Sequence, residues 1–181
     1  MVKCPNHGGG GGELKQVKTF NARDLVLGKN VTIGENVSIM GGEILIGDDT
    51  KISDGVLINV TKRFVLGPRS VLGKNFKIEG RDICIGAELW SGENCTIGGG
   101  SCFEVQSSLE VGYWCHLGDY SFINTARPVR IGNEVGLGMR TSLFTHGAYQ
   151  SILDGYPVEF EGITIGDKCW LPGAIVNPGV K

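Results

Sequence analysis

The chain has 181 residues and contains 30 glycines, more than twice the usual share of about 7%. Its 17 Lys and Arg residues nearly balance its 19 Asp and Glu residues, and no basic run is interleaved with aromatic residues, which argues against a nucleic-acid partner. No apolar segment approaches the ~20 residues that span a bilayer, and the first residues lack the apolar core of a signal peptide, so we expect a soluble, cytoplasmic protein without a membrane partner.

The N-terminal residues 1–16 include five consecutive glycines, a composition typical of a flexible linker. We interpret this segment as a flexible or non-native tail. Cys4 and His7 have the spacing of half a zinc site, but no second pair of ligands is placed to complete four-coordination, so we expect no metal. Residues 17–181 are then one domain, which we expect to end within a turn at Lys181.

From Leu27 onward the sequence repeats in pairs of six-residue units. The first residue of a unit is apolar in all but one pair, the second is usually Gly, and the fifth is small or branched, Ser101 included, with Phe76 as the large exception. Because side chains alternate across a strand, the first and fifth residues face the same side. The pairs begin at Leu27, Ile46, Leu66, Ser91, Val111, Ile131 and Ile165.

A third apolar residue follows twelve residues after each of the first six pair heads, with Phe103 as the fourth of these residues. This spacing predicts three sides per turn and parallel pairing of each side with its counterpart in the next turn. The sequence therefore predicts an all-β, parallel β-helix of about seven triangular turns. Extra chain leaves after the third side, mainly as a loop at about 144–162. The six cysteines are expected to be reduced, structural thiols.

The [LIV]-G-x-x-[small]-x unit, which covers residues 27–181, resembles that of the hexapeptide-repeat acyltransferases. The segment ITIGDKCWLPGAIVNPGV, residues 163–180, is similar to the end of the maltose, galactoside and polysaccharide O-acetyltransferases. This resemblance implies a left-handed β-helix and a homotrimer with active sites between subunits. It also implies transfer of an acetyl group from acetyl-CoA to a hydroxyl or amine of a sugar or polysaccharide precursor.

The loop at 144–162 interrupts the repeat most strongly and carries His146. An imidazole accepts a proton near neutral pH, and the alternative is a loop histidine bonded to a backbone carbonyl. The resemblance implies that His146 is the general base, although it lies two residues closer to the apolar head than in that family. The family's substrate-binding Asn aligns with Gly118. Tyr149 in the same loop is a candidate substrate-binding residue.

Subtracting one turn of 20 residues places Ala126 beneath His146, with Asn124 and Arg127 on the neighbouring turn. Asn124 is a candidate to hold the acceptor or the thioester oxygen. Arg127 is a candidate to orient the surroundings of His146 or to contact a phosphate. Solvated corner residues are the alternative for both.

The resemblance also implies that Trp170 and Gly173 line the acetyl and pantetheine end of a coenzyme A groove. Packing of the Trp170 indole beneath the loop or against another subunit is the alternative.

Two further functions stay open. One is a non-catalytic β-helix that serves as a binding or structural platform. The other, less favoured, is a metalloenzyme similar to the γ-class carbonic anhydrases, which requires three histidines around zinc. Only His7, His116 and His146 are available, and they lack the close His pairs of that family.

Overall fold

The computed structural model describes residues 18–147 and 150–180, and this part of the chain forms a parallel β-helix with three walls. The strands of the walls pair in parallel with their counterparts in the neighbouring turns, as in Ile33 with Ile52 and Leu117 with Leu137. The predicted all-β architecture is confirmed. The chain makes about six turns rather than about seven. One of the walls has seven described strands, and passing from the first of them to the last takes six turns.

The walls are numbered in the order in which the chain passes through them, so that Leu27 lies on the first wall, Ile33 on the second and Ile39 on the third. In the N-terminal turns, long strands run without interruption from the third wall across a corner to the first wall. Their parallel register shifts between Gly41 and Glu43 and between Val60 and Arg63, where the strands turn the corner. These strands are β1 (Thr19–Leu27), β3 (Ser38–Ile46), β5 (Leu57–Leu66) and β7 (Lys77–Ile85).

The second wall consists of two-residue strands, in which the second side chain points into the core and the first points outward. The described strands of this wall are β2 (Thr32–Ile33), β4 (Lys51–Ile52), β6 (Val71–Leu72), β8 (Trp90–Ser91), β11 (His116–Leu117), β14 (Gly136–Leu137) and β19 (Trp170–Leu171).

In the C-terminal turns, the third and first walls are built from separate short strands. The third wall continues with β9 (Thr96–Gly98), β12 (Phe122–Asn124), β15 (Ser142–Leu143) and β20 (Ile175–Val176). The first wall continues with β10 (Ser108–Val111), β13 (Val129–Ile131) and β18 (Ile163–Ile165).

Two loops leave the β-helix at the corner between the third and first walls. One follows β9 and returns at β10, and the other follows β15 and returns at β18. The second loop contains the antiparallel strands β16 (His146–Gly147) and β17 (Glu159–Phe160) and a 3₁₀ turn at Ile152–Asp154. The prediction that extra chain leaves at one corner, chiefly at about 144–162, is confirmed.

The core is a set of apolar ladders that run along the β-helix. One ladder on the third wall has six consecutive members, each at most 2% exposed: Ile39, Ile58, Ile78, Ile97, Ile123 and Leu143. The small side chains predicted at the fifth position of the units fill the same interior, as Thr50, Ser70, Cys95 and Ser121 do. Burying a full Ile or Leu side chain stabilises a fold by about 1.5–3 kcal/mol, so these ladders supply the main driving force.

The predicted phase of the repeat is wrong for one turn. Ser91 does not head a pair but lies on the second wall, where it pairs with Leu117, while Ile85 occupies the first wall beside Leu66. Phe103, expected in the core, lies in the loop after β9 and is 44% exposed, and Ser101 is exposed as well. The six-residue spacing of apolar residues continued by chance to Phe103 in this loop. The spacing therefore predicted Ser91 on the first wall instead of the second.

The five cysteines of the described residues have free thiols. Burial raises the pKa of the Cys95, Cys102 and Cys115 thiols, which disfavours the reactive thiolate. The predicted tail at 1–16, with Cys4 and His7, lies outside the described residues, as do Tyr149 and Lys181. Within the described ranges, no helix is long and apolar enough to cross a membrane.

Candidate active site

His146 lies at the corner where the chain leaves the third wall. Leu143 still points into the core, Thr145 is buried, and the loop begins at His146. The backbone of His146 pairs with that of Phe160 on the returning arm of the loop, and Glu161 N–H donates to the Thr145 carbonyl at 3.0 Å. The two arms of the loop therefore fix the position of His146 from both sides.

Asn124, one turn earlier at the same corner, holds the imidazole of His146. Its Oδ1 lies 2.9 Å from His146 Nδ1, and the Asn124 side chain is only 1% exposed. The Asn124 amide donates to the carbonyls of Gly98 at 3.0 Å and Gly100 at 3.2 Å, which identifies the oxygen as the atom facing His146. Because an amide oxygen only accepts, Nδ1 is the donor in this contact, and in the neutral imidazole Nε2 then carries the lone pair.

The Asn124 oxygen is further fixed by two neighbours at the corner. It accepts hydrogen bonds from the Thr145 hydroxyl and from Ala126 N–H, the latter at 3.3 Å. Thr145 Oγ1 in turn accepts from Arg127 N–H at 3.3 Å, and Thr145 is fully buried. This buried network holds Asn124, and through it His146, in one orientation.

An aromatic ring and a cation flank the other side of the imidazole. The Phe160 ring stacks on the His146 ring with centroids 5.2 Å apart and planes 12° apart. The Arg127 guanidinium lies 4.4 Å from the Phe160 ring centroid, and its Nη1 donates to the Ala126 carbonyl at 2.7 Å. The Arg127 guanidinium thus contacts the Phe160 ring through a cation–π interaction, and this ring in turn stacks on His146.

The crevice in front of His146 has a volume of about 530 Å³ and a mostly apolar lining. Phe122 and Phe144 form one side with ring centroids 5.5 Å apart, and Ile175 lies nearby. A Cβ on Gly100 would lie 3.5 Å from His146 Nε2, so the glycine leaves this nitrogen open to the crevice. A nitrogen that can accept a proton therefore faces a groove large enough for a small molecule.

The structure brings together only part of the predicted site. His146, Asn124 and Arg127 lie at one corner, as the 20-residue spacing predicts. Trp170 lies on the second wall and lines a different crevice, and Gly173 follows it in the chain. Neither Trp170 nor Gly173 is among the residues that line the His146 crevice.

Sequence reasoning missed several residues of this corner. Thr145 carried a weak signal, since it lies one turn of 20 residues after the buried Thr125. Gly100 and Phe160 lie in loops, where the repeat gives no position, and no signal in the sequence identified them. In the described parts of the chain, no group of three His, Cys, Asp or Glu side chains is arranged to hold a metal ion.

No family model matches the sequence, and no curated protein and no solved structure is significantly similar to it.

Proposed function

We propose that the protein is an acetyl-CoA-dependent acetyltransferase in which His146 is the general base. The observation that carries this proposal is the 2.9 Å contact between His146 Nδ1 and Asn124 Oδ1, which leaves Nε2 free toward the crevice. A histidine held in one tautomer beside an apolar groove is suited to remove a proton from an attacking hydroxyl or amine.

In the proposed reaction, acetyl-CoA supplies the acetyl group as a thioester. His146 Nε2 takes the proton of the acceptor as the acceptor oxygen or nitrogen attacks the thioester carbonyl. The imidazolium then returns this proton to the sulfur when the carbon–sulfur bond breaks, so no covalent acyl-enzyme forms. The Asn124 oxygen stabilises the imidazolium through the Nδ1–H bond during this step.

The role of Asn124 in this proposal is positioning rather than contact with substrate. Both of its amide hydrogens are donated to the backbone, and its oxygen faces His146. Arg127 supports the Phe160 ring that stacks on the imidazole. The acceptor, which we propose to be a sugar or polysaccharide precursor, then meets the crevice between Gly100 and the Phe122–Phe144 pair.

The proposal includes a homotrimer in a cytoplasmic setting, with each site completed by a neighbouring copy. The supporting observation is that the His146 crevice of one chain is an open surface groove, which does not enclose a molecule as long as coenzyme A, whereas neighbouring β-helices packed side by side do. Sedimentation should show a trimer. A monomer that still transfers acetyl groups would contradict this part of the proposal.

The test of the base is the substitution His146→Ala, assayed as thiol release from acetyl-CoA with a panel of hexoses and amino sugars. We expect kcat to fall by at least about a hundredfold, the usual contribution of a general base. His146→Gln keeps the size of the side chain and should be equally impaired. An unchanged thermal midpoint must accompany both losses, and near-normal turnover in either variant would reject the assignment.

A second candidate function is a non-catalytic binding platform, which is favoured by large aromatic side chains exposed on the second wall. Calorimetry with coenzyme A separates the two functions. Binding in the micromolar range supports the acetyltransferase, whereas no binding at millimolar concentration supports the platform.

A further inference from the structure

The outward positions of the second wall change in character along the β-helix. They are in parallel register, so their side chains form one column. The first three are polar or aliphatic, and the last four are aromatic or Gly. In order, the column consists of Thr32, Lys51, Val71, Trp90, His116, Gly136 and Trp170.

The aromatic part of the column is continuous because Gly136 makes room for the Trp170 ring. A Cβ on Gly136 would collide with Cε3 and Cζ3 of Trp170, so the indole lies over the Gly136 strand. The His116 and Trp170 ring centroids are 6.4 Å apart with planes 18° apart, and the Trp90 and His116 centroids are 6.0 Å apart at 79°. Three rings therefore cover three successive strands, which are spaced about 4.8 Å apart.

Trp114 lies at the corner between β10 and β11 and extends this aromatic surface. The three tryptophans of the chain, Trp90, Trp114 and Trp170, are 64–65% exposed and line one groove of about 630 Å³. Large aromatic groups gathered and exposed in this way mark a binding surface.

Charged groups at the rim of the groove restrict what it binds. Arg69 Nε donates to Glu88 Oε1 at 2.7 Å, and Glu134 lies along the same groove. A purely apolar partner would bury Glu134 and the remaining polar atoms of the Arg69–Glu88 pair without new hydrogen-bond partners, which is costly. Arg69 is neutralised by its ion pair with Glu88, and Glu134 leaves the groove with one net negative charge, so a simple organic cation is the competitor against which the test below is designed. The groove thus offers both hydrogen-bond donors and acceptors beside ring faces.

We propose that this groove binds a chain of uncharged pyranose sugars. A pyranose ring presents C–H groups on its faces and hydroxyls at its edges, so the faces stack on Trp90 and Trp114 while the hydroxyls meet Arg69, Glu88 and Glu134. Because the three rings follow the axis of the β-helix, the sugar chain crosses the strands of the second wall. The groove shares no lining residue with the His146 crevice, so this proposal does not depend on acetyl transfer.

The test is calorimetry and tryptophan fluorescence with cellohexaose and chitohexaose as probes. Trp90→Ala and Trp114→Ala should each weaken binding at least about tenfold. Tyr120→Ala is the matched control for Trp114→Ala: both residues are exposed aromatics with φ of 59° and 55°, and Tyr120 does not line the groove. Neither Tyr120→Ala nor His146→Ala should change the affinity.

Gly136→Ala provides a sharper test because it removes no aromatic group. The added methyl displaces the Trp170 ring from the column, so binding should weaken several-fold while the fold is kept. Three results would overturn the proposal: no binding of either probe at millimolar concentration, equal binding by Trp90→Ala and the parent, or displacement of the probes by tetramethylammonium. Loss of self-association in Trp90→Ala with unchanged sugar affinity would instead identify a subunit contact and would also overturn it.

Discussion

The N-terminal turns, residues 18–91, and the C-terminal turns, residues 92–180, use the same corner of the β-helix in different ways. In the N-terminal turns, strands of nine or ten residues cross from the third wall to the first as continuous backbone ladders. In the C-terminal turns, the strands shorten to two to four residues and the corner opens into two loops. Continuous pairing supplies rigidity, whereas the opened corner supplies a crevice and a histidine.

Equivalent positions of the repeat therefore have different surroundings in the two halves of the β-helix. At the position that follows the core ladder on the third wall, the N-terminal turns place Asn59 and the C-terminal turns place Asn124. Asn59 is half-buried on a continuous strand, while Asn124 is buried and bonded to His146. The same residue type at an equivalent position thus acquires a positioning role only where the strand is interrupted.

The largest expected effect tests the stability side of the contrast. Ile58→Ala removes a fully buried side chain from the N-terminal ladder and should lower the free energy of unfolding by about 2–5 kcal/mol. Leu153→Ala, which removes as many carbons from a loop side chain that is 93% exposed, should change it by less than about 0.5 kcal/mol. Urea unfolding measures both values. Similar losses in the two variants would show that the loop contributes to stability as the ladder does.

A smaller effect is expected from Asn124→Ala, compared with Asn59→Ala. Without the Asn124 oxygen, the imidazole of His146 loses the acceptor that fixes its tautomer, so kcat should fall at least about tenfold with little change in KM for acetyl-CoA. The ¹⁵N spectrum of His146 should change from one tautomer to a mixture. Asn59→Ala should leave both measurements unchanged. An unaltered imidazole spectrum in Asn124→Ala would contradict the positioning role, whatever the activity.

The six-residue period predicted the fold because it reports directly on which side chains point inward. It also placed His146 and Asn124 at one corner, since both positions follow from counting residues along regular turns. Counting residues did not predict the positions of side chains in the loops, where the chain leaves the regular turns. Phe103 kept the period by chance inside a loop, and Phe160 reaches His146 through a hairpin that no repeat predicts.

The orientation of Trp170 was beyond the sequence for a different reason. The period predicts that Trp170 faces outward on its wall, and it does so. Where the indole then lies depends on the space above Gly136, a neighbour 34 residues earlier in the chain. Contacts between outward side chains on adjacent turns are set by packing, which a pattern of apolar residues does not describe.

The smallest expected effect tests the charged groups on the uninterrupted corner of the N-terminal turns. Asp82 is 15% exposed and accepts from Lys62 Nζ at 2.5 Å and Arg63 Nε at 3.0 Å. Burial alone would raise the pKa of the Asp82 carboxyl, but the hydrogen bonds and charges of Lys62 and Arg63 outweigh it and lower the pKa. Ionised Asp82 therefore stabilises the folded chain.

Because the folded pKa of Asp82 is lowered, its contribution is complete above the unfolded value of about 3.8 and is lost as the pH falls through the folded pKa. We expect Asp82→Asn to cost on the order of 1 kcal/mol at pH 7, since both cationic partners are about half exposed, and to cost less as the pH approaches 2. Urea unfolding at pH 7 and at low pH measures the difference. A cost that does not change with pH would mean that Asp82 acts through its shape and hydrogen bonds, and that the continuous corner needs no charge.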